Sequence, residues 1–285
     1  MYESVFKLPA LSDVVWGRLR PLIEEELGIK MPVVKKSLLQ NRLLRRIKYL
    51  GLDSFEEYCD YLFSEEGQLN ERTPFFNEVT TNKTFFFREY RHFEVLNDRI
   101  IPEFLRKQSA RREPLRIWSA ACSTGEELYS IACIIEEFMR TEKISFDYEI
   151  LGTDVSTRVL WHAKSAIYEE EQISVISPDL IKRYFLTSKD KSSNLSRVIP
   201  ELREKVRLRK VNLMNEAYPF VQQFDVIFCR NVLIYFTRDD ILQIVGRCLS
   251  HLKTDGYLIT GHADSIYGAA SDLRRIEPSV FMKKS

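Results

Sequence analysis

Missing from this sequence is any paired metal-binding or redox motif. The five cysteines (Cys59, Cys122, Cys133, Cys229, Cys248) are scattered and form no C-x-x-C, which suits a reduced, intracellular protein better than a disulfide framework. The four histidines stand apart, without an H-x-x-x-H spacing or a Cys/His cluster, so no metal is expected. A charge of one sign is missing too. With 42 basic residues against 41 acidic ones, no global field advertises nucleic acid or an anionic membrane as a partner. Long apolar runs are absent, and none approaches the roughly 18 residues that would span a bilayer. The opening MYESVFKLPALSDVVW carries acids where a signal peptide has a basic segment and an apolar core. A soluble, cytoplasmic protein without membrane insertion is expected.

What is present suffices for one large domain or two modest ones, since 285 residues can bury a real core. Residues 10–73 read as helices only. Ser12 or Asp13 caps a first helix that Gly28 stops. A second runs from about Val34 to Leu50 and ends at Gly51. A third spans Ser54 to Phe63, with Ser54 and Glu57 at capping-box spacing. Residues 1–73 are therefore expected to form a small all-α domain. On the second helix Leu39, Leu43, Ile47 and Leu50 make a core stripe, while Arg42, Arg45, Arg46 and Tyr49 share a neighbouring face that Lys48 extends. That face is either solvated or a docking surface. The balanced overall charge and the nearby acids Glu24 to Glu26 favour a protein partner over nucleic acid.

From residue 74 onward the reading is a second domain. Polar groups of Asn77 to Thr84 precede three phenylalanines and Arg88, and a helix runs from Arg91 to Phe104. The charged stretch Arg106 to Glu113 is a linker. Strand and helix patterns then alternate: LRIWSA, EELYSIACIIEEFMR, YEILGTDVS, TRVLWHAKSAIY, then KVRLRKVNL, FDVIFCRN, a helix from Asp239 to Leu252, GYLIT, and a last strand from Ser279 to Lys283. This alternation predicts an α/β fold with a doubly wound, mainly parallel sheet. The stretch at about 168–210 interrupts the pattern and reads as an inserted subdomain.

In open α/β sheets, ligands lie beyond the carboxyl ends of the strands. The turn after the first strand lacks G-x-G-x-x-G and a P-loop lysine, so a pyrophosphate cradle is poorly supported. It has instead Ala121, Ser123 and Gly125, a G-x-G-x-G-like turn with two glycines replaced by small residues. That suits a ligand without phosphates, such as the methionine end of S-adenosylmethionine, with Glu126 placed for its ammonium group. Glu126 also reads as an acid that simply satisfies the helix dipole. Asp154 ends the second strand and can accept ribose hydroxyls, while Ser156 or Thr157 is available to cap the helix that follows. Asn212 and Leu213 end the third strand-like run, where an amide and an apolar wall could hold adenine. Asn231 and Tyr235 follow the fourth. Asn82, Thr84 and Arg88 sit at spacings that allow them to share one pocket.

Four stretches, WSAACSTGEELYS, NEVTTNKTFFFRE, FDVIFCRNVLIYF and LKTDGYLITGH, together resemble the chemotaxis receptor methyltransferases, the CheR family. The resemblance covers nearly the whole chain, including NRLLRRIKYLG and the insert. It implies a class I S-adenosylmethionine-dependent, Rossmann-like fold with an N-terminal all-α domain and an inserted β-subdomain. It further implies a protein-glutamate O-methyltransferase acting on the cytoplasmic helices of chemotaxis receptors in signal transduction, with S-adenosylhomocysteine as product. Carried onto this sequence, cofactor contacts fall on Asn82, Thr84, Arg88, Glu126, Asp154, Asn212, Leu213, Asn231 and Val232. Arg88 and Tyr235 flank the transferring methyl, and Arg42, Arg45 and Arg46 face the receptor.

The chain also departs from the family pattern. Members that dock on a receptor's tether peptide tend to have a glycine-rich loop in the insert, whereas Thr187 to Ser196 has no glycine and four serines. This argues against tether-peptide docking. Leu128 stands where the family often has proline, a change expected to be neutral. The alternatives to the leading reading are a methyltransferase with another acceptor, or a non-catalytic module that binds S-adenosylmethionine and a partner. Retention of both Arg88 and Tyr235 speaks against the second.

Overall fold

A computed structural model describes residues 10–80, 82–107, 113–190, 193–266 and 271–284. The opening nine residues, the linker residues 108–112 and loop residues 191–192 lie outside the described residues. The chain divides into two compact units, Met1–Thr81 and Asn82–Ser285. Among the described residues no helix is long and apolar enough to cross a membrane.

In the first unit, α1 (Asp13–Leu27) starts at Ser12, whose hydroxyl accepts from the Val15 N–H, and stops at Gly28 in the left-handed region. A 3-10 turn (Val33–Lys35) leads into α2 (Lys36–Leu50), which Gly51 ends at φ 70°. Leu39, Leu43 and Ile47 form its buried stripe, as the periodicity predicts. Ser54 caps α3 (Phe55–Phe63), but the Glu57 side chain reaches back to the Asp53 N–H instead of closing the box on Ser54. Two short helices follow, α4 (Glu65–Asn70) and α5 (Arg72–Val79). The helical unit thus runs past the boundary at residue 73 that the sequence suggested.

The arginines of α2 do not act as one exposed face. Arg46 makes a two-pronged contact with Glu71, Nε to Oε1 at 2.9 Å and Nη2 to Oε2 at 2.6 Å. The Tyr58 hydroxyl donates to the same carboxylate at 2.8 Å. Glu71 is 1% exposed, so this ion pair ties α2 to α3 and to the α4–α5 junction in a dry setting. Arg42 donates to the Val79 carbonyl. Arg42 and Arg46, two of the three arginines expected to face the receptor, thus have partners inside the unit. Arg45 is exposed and has no partner among the described residues.

The second unit opens with α6 (Arg91–Val95), which continues through a π turn (Leu96–Ile100) into α7 (Ile101–Lys107). Then come β1 (Leu115–Ala120), α8 (Glu126–Glu142), β2 (Tyr148–Asp154) and α9 (Thr157–Ser165). The insert holds β3 (Ile167–Glu169), α10 (Glu170–Ile173), α11 (Pro178–Tyr184), β4 (Phe185–Thr187), β5 (Leu195–Val198) and α12 (Pro200–Glu204). Its three strands form a separate antiparallel sheet in the order β3-β5-β4. The chain returns through β6 (Val206–Lys210) and β7 (Phe224–Cys229), α13 (Arg238–Ser250), β8 (Leu252–Thr260), β9 (Leu273–Glu277) and β10 (Val280–Lys283). Because β6 pairs with β2, the expected insert at 168–210 ends earlier, before Val206. Strand β9 sets Arg274 and Arg275 between Leu273 and Ile276, which breaks the alternation of a half-buried strand, and it is absent from the pattern expected of the sequence.

The central sheet has the order β6-β2-β1-β7-β8-β10-β9. Strands β6 to β8 run parallel, and β10 and then β9 close the edge antiparallel. Along β1 alternate residues enter opposite layers. Leu115 and Ile117 join the core with Leu128, Ile131 and Tyr148, while Trp118 and Ala120 join Ile227, Ile244 and Leu258 beneath α13. Trp118 is wholly buried, and its indole N–H donates to Thr153 Oγ1 on β2 at 2.9 Å. Leu128 is also fully buried, and a methyl group on Gly152 would come within 2.7 Å of it.

Replacing Arg46 by Met leaves Glu71 with an uncompensated buried charge and should lower stability by about 3–5 kcal/mol. Replacing Arg45 by Met should change it by less than about 0.5 kcal/mol. Urea unfolding of the full chain followed at the helical signal distinguishes the two. Equal effects would contradict the division made here.

Candidate active site

The sheet reverses chain order between β1 and β7, which places a crevice at their carboxyl ends. The turn after β1 is built from alternating left-handed residues: Ala121 at φ 60°, Ser123 at φ 50° and Gly125 at φ 98°. Ala121 and Ser123, where the sequence shows replaced glycines, accept this conformation at a cost of about 1–2 kcal/mol each. Gly125 is needed for packing as well, because a Cβ there would lie 2.8 Å from Ala163 Cβ and 3.0 Å from Tyr168 Oη. The turn is held by neighbours on three sides. The Cys122 N–H donates to the Thr153 carbonyl at 2.8 Å, the Ser123 N–H to Asp154 Oδ2 at 3.0 Å, and the Ser123 hydroxyl to the Asn82 carbonyl at 3.0 Å.

Asp154 is 7% exposed, and its second oxygen accepts from the Ser156 N–H at 2.9 Å. Ser156 caps α9, as the sequence allowed. Burial raises the Asp154 pKa against the opposing pull of these backbone bonds. Glu126, 1% exposed at the start of α8, accepts from Thr124 Oγ1 at 2.6 Å, and burial raises its pKa too. Neither carboxylate has a lysine or arginine salt-bridge partner among the described residues. Asn212 orders its own turn by accepting from the Met214 N–H at 3.0 Å, and Leu213 beside it is buried.

Arg88 sits between two left-handed residues, Phe87 and Glu89, both at φ 55°. Its guanidinium donates to the Lys83 carbonyl at 3.1 Å and lies over Phe85, 5.7 Å from the ring centre. Phe86 points the other way, edge-on to Tyr168 at 4.9 Å in the core. Thr84 in the same loop is half-buried. After β7, Asn231 is left-handed at φ 56°. Its amide donates to Glu89 Oε1 at 3.0 Å, and its N–H to Asp264. Val232 and Tyr235 follow, half-buried at the 3-10 turn Leu233–Tyr235. Hydrogen bonds therefore join Asn82 to Ser123 and Asp154, and Arg88's neighbour Glu89 to Asn231.

Several residues of this region escaped the sequence reading. Asp264 accepts from the N–H groups of Asn231, Gly261 and Ile234 and so shapes the turn after β7. Glu127, Glu89 and Arg230 form a buried ion-pair network. The histidines are not all apart either. His92 and His262 meet edge to face at 5.1 Å, and with Glu89 they bring one possible ligand atom each within 4.8 Å of one another. Glu89 already accepts from Arg230 and Asn231. Burial, and then Arg230, push the His92 pKa down to about 4, so its ring is neutral. The only sequence hints were the acidic pair at the start of α8 and the Arg-Asn pair after β7. Their partners lie far away in the chain.

Two desolvated carboxylates without a cation of the chain beside them suit a ligand bearing an ammonium group and hydroxyls, because buried charge has to be compensated. A turn of small side chains at the carboxyl ends of the strands admits its body. S-Adenosylmethionine has this donor set. Fold and site together define a class I S-adenosylmethionine-dependent methyltransferase. Residues 82–281 match the family model described as CheR methyltransferase, SAM binding domain, and residues 16–80 match CheR methyltransferase, all-alpha domain. The chain belongs to the CheR methyltransferase family. It is 36% identical to a chemotaxis protein methyltransferase of Borreliella burgdorferi over 94% of this chain and 93% of that one. It is 38% identical to chemotaxis protein methyltransferase 2 of Pseudomonas aeruginosa, covering 89% and 87%. It is also 38% identical to the chemotaxis protein methyltransferase of Escherichia coli, covering 90% and 86%.

A carboxyl group whose pKa is raised in the fold favours stability at low pH and loses it as the pH climbs through that raised value. Glu126→Gln should therefore raise the melting temperature of the ligand-free protein at neutral pH. With Glu126 against the ligand's ammonium group, as expected from the sequence, the same change should weaken S-adenosylhomocysteine binding by roughly 10–100-fold. Calorimetric titration and melting of both forms test this, and a variant that binds as tightly as the parent would remove Glu126 from the site.

Proposed function

We propose that this chain transfers the methyl group of S-adenosylmethionine to glutamate side chains on the cytoplasmic helices of chemotaxis receptors, forming methyl esters in the cytoplasm. The observation that carries the reading is the state of Arg88. Its charge is opposed by no carboxylate among the described residues, and its hydrogen bond goes to a backbone carbonyl. It sits on the loop that also brings Asn82 to the turn after β1. A half-buried guanidinium of this kind can take a carboxylate acceptor through a charge-assisted bond.

The chemistry asks little else of the protein. A glutamate is already ionised at about pH 7, so no general base is required. The cofactor, when bound, supplies an electrophilic methyl group. The chain's task is to place one acceptor oxygen in line with that methyl and to keep water away, because attack of an anion on a cation neutralises charge. Arg88 holds the other oxygen by a single contact, which orients the acceptor without blunting its nucleophilicity, and Tyr235 closes the opposite side. Asn82, Thr84, Glu126, Asp154, Asn212, Leu213, Asn231 and Val232 surround the cofactor in this reading, and the product is S-adenosylhomocysteine.

The receptor is met by the helical unit. With Arg42 and Arg46 bound inside that unit, docking on an acidic receptor helix falls to Arg45, with Lys48 one turn on. Nothing in the glycine-free loop of the insert supports tether-peptide docking, and the methylated helices themselves are the proposed partner.

Incubation of the chain with receptor cytoplasmic fragments and methyl-labelled cofactor should yield protein-bound label that base treatment releases as methanol. Label stable to base would mean an acceptor other than a carboxylate. Arg45→Glu should raise the KM for the receptor fragment while leaving S-adenosylhomocysteine affinity unchanged. If both are unchanged, Arg45 has no part in docking.

A further inference from the structure

Next to the proposed catalytic groups lies a charged cluster that neither cofactor nor acceptor needs to touch. Arg230 follows β7, and its side chain is 2% exposed. One terminal nitrogen, Nη1, donates to Glu127 Oε2 at 2.8 Å. The other, Nη2, donates to Glu89 Oε2 at 3.2 Å and to the Arg88 carbonyl. Each carboxylate is held from its other side as well. Glu127 Oε1 accepts from the Ser119 hydroxyl of β1 at 2.7 Å, and Glu89 Oε1 from the Asn231 amide at 3.0 Å. The guanidinium lies over the Phe93 ring, 5.6 Å from its centre. One buried cation thus joins the end of β1, the start of α8, the end of β7 and the loop that carries Arg88.

Stability is a poor reason for such a cluster. Buried ion pairs rarely outdo well-packed apolar side chains, since desolvation offsets the Coulomb gain. Here Arg230 Nε is buried without a hydrogen-bond partner, a further cost. What the cluster does accomplish is local. Phe87 and Glu89, both at φ 55°, make a strained pair around Arg88. Non-glycine residues persist in that conformation where their surroundings over-determine it. Around this pair the Ser130 hydroxyl accepts from the Phe87 N–H at 3.0 Å, and the Glu89 carboxylate accepts from the Asn231 amide and the His262 N–H, but Arg230 grips both the Arg88 carbonyl and the Glu89 carboxylate.

We propose that Arg230 is a positioning residue for methyl transfer, acting through Arg88: it holds the Arg88 carbonyl and the carboxylate of the next residue, Glu89, and so aims the Arg88 guanidinium at the acceptor carboxylate. The inference rests on the reading of Arg88 given above. It predicts a signature that a general structural role would not produce. The effect of changing Arg230 should depend on whether Arg88 is there to be aimed.

The experiment is a double-mutant cycle on the full chain with Arg230→Lys, Arg88→Ala and their combination. Melting temperature, S-adenosylhomocysteine affinity, and the kcat and KM for methylation of a receptor cytoplasmic fragment are measured for each. Lysine keeps the charge but cannot bridge three acceptors in one plane. Arg230→Lys should lower kcat by about 100-fold, the scale of a misplaced catalytic group, with cofactor affinity and KM close to wild type. On the Arg88→Ala background the same change should cost no more than about twofold. Losses that multiply across the two sites, or a wild-type kcat for Arg230→Lys beside a crippled Arg88→Ala, would overturn the proposal for Arg230 alone. A wild-type kcat for Arg88→Ala would instead overturn the reading on which it rests. Should Arg230→Lys melt well below wild type, Glu89→Gln takes its place, since it keeps the side chain's shape while weakening the bond to Arg230. It should lower kcat with the same dependence on Arg88, and independence would again refute the proposal.

Discussion

The carboxylate of Asp154 holds two backbone turns at once. Through one oxygen it accepts the Ser123 N–H of the turn after β1, and through the other the Ser156 N–H of the turn after β2. Adjacent parallel strands end side by side, so whatever binds at their carboxyl ends must meet two turns whose relative position is set. A buried carboxylate bridging them couples that position to its own ionisation. Its raised pKa records that the arrangement is costly without further donors. The left-handed Ala121 and Ser123 depend on the same bond, and through the Ser123 hydroxyl so does the placement of Asn82.

The helical unit separates two jobs that its sequence blends. Adjacent arginines on α2 have opposite fates, Arg46 gripping a carboxylate that is 1% exposed and Arg45 standing in solvent. A basic helix face is thus partly a fastening for its own unit. The distinction matters for any charge reversal there, because changes at Arg46 or Arg42 disturb the unit itself before they alter a surface potential.

Much of the fold was legible because local chemistry and burial agree in it. Apolar runs such as FDVIFC became interior strands, Gly28 and Gly51 ended helices, and Ser156 took the cap that freed Asp154. The alternating Ala121, Ser123 and Gly125 could be recognised as a G-x-G-x-G-like turn with two glycines replaced, and the left-handed backbone of all three shows why glycine would suit there. What stayed hidden has two physical causes. Strand β9 is a charged edge strand that lacks the apolar pattern by which strands are recognised. The contacts of Glu89 with Arg230 and His262 join loops more than a hundred residues apart, and no spacing rule reaches across them. The family likeness supplied roles for Arg88 and Tyr235 but was silent on what holds them.

Strand order carries a consequence for how the chain acquires its shape. Strand β10 lies between β8 and β9, and β9 is bonded to the sheet through β10 alone. During synthesis β9 is made first and has nowhere to add until the residues after it arrive. The Glu277 carboxylate at the end of β9 forms a two-pronged bond with Arg91, 186 positions earlier, at the start of α6. The last pairing of the sheet is therefore also what latches the first helix of its unit, and a nascent chain short of β10 would present an unfinished edge at β8 to whatever chaperone or neighbouring strand reached it first.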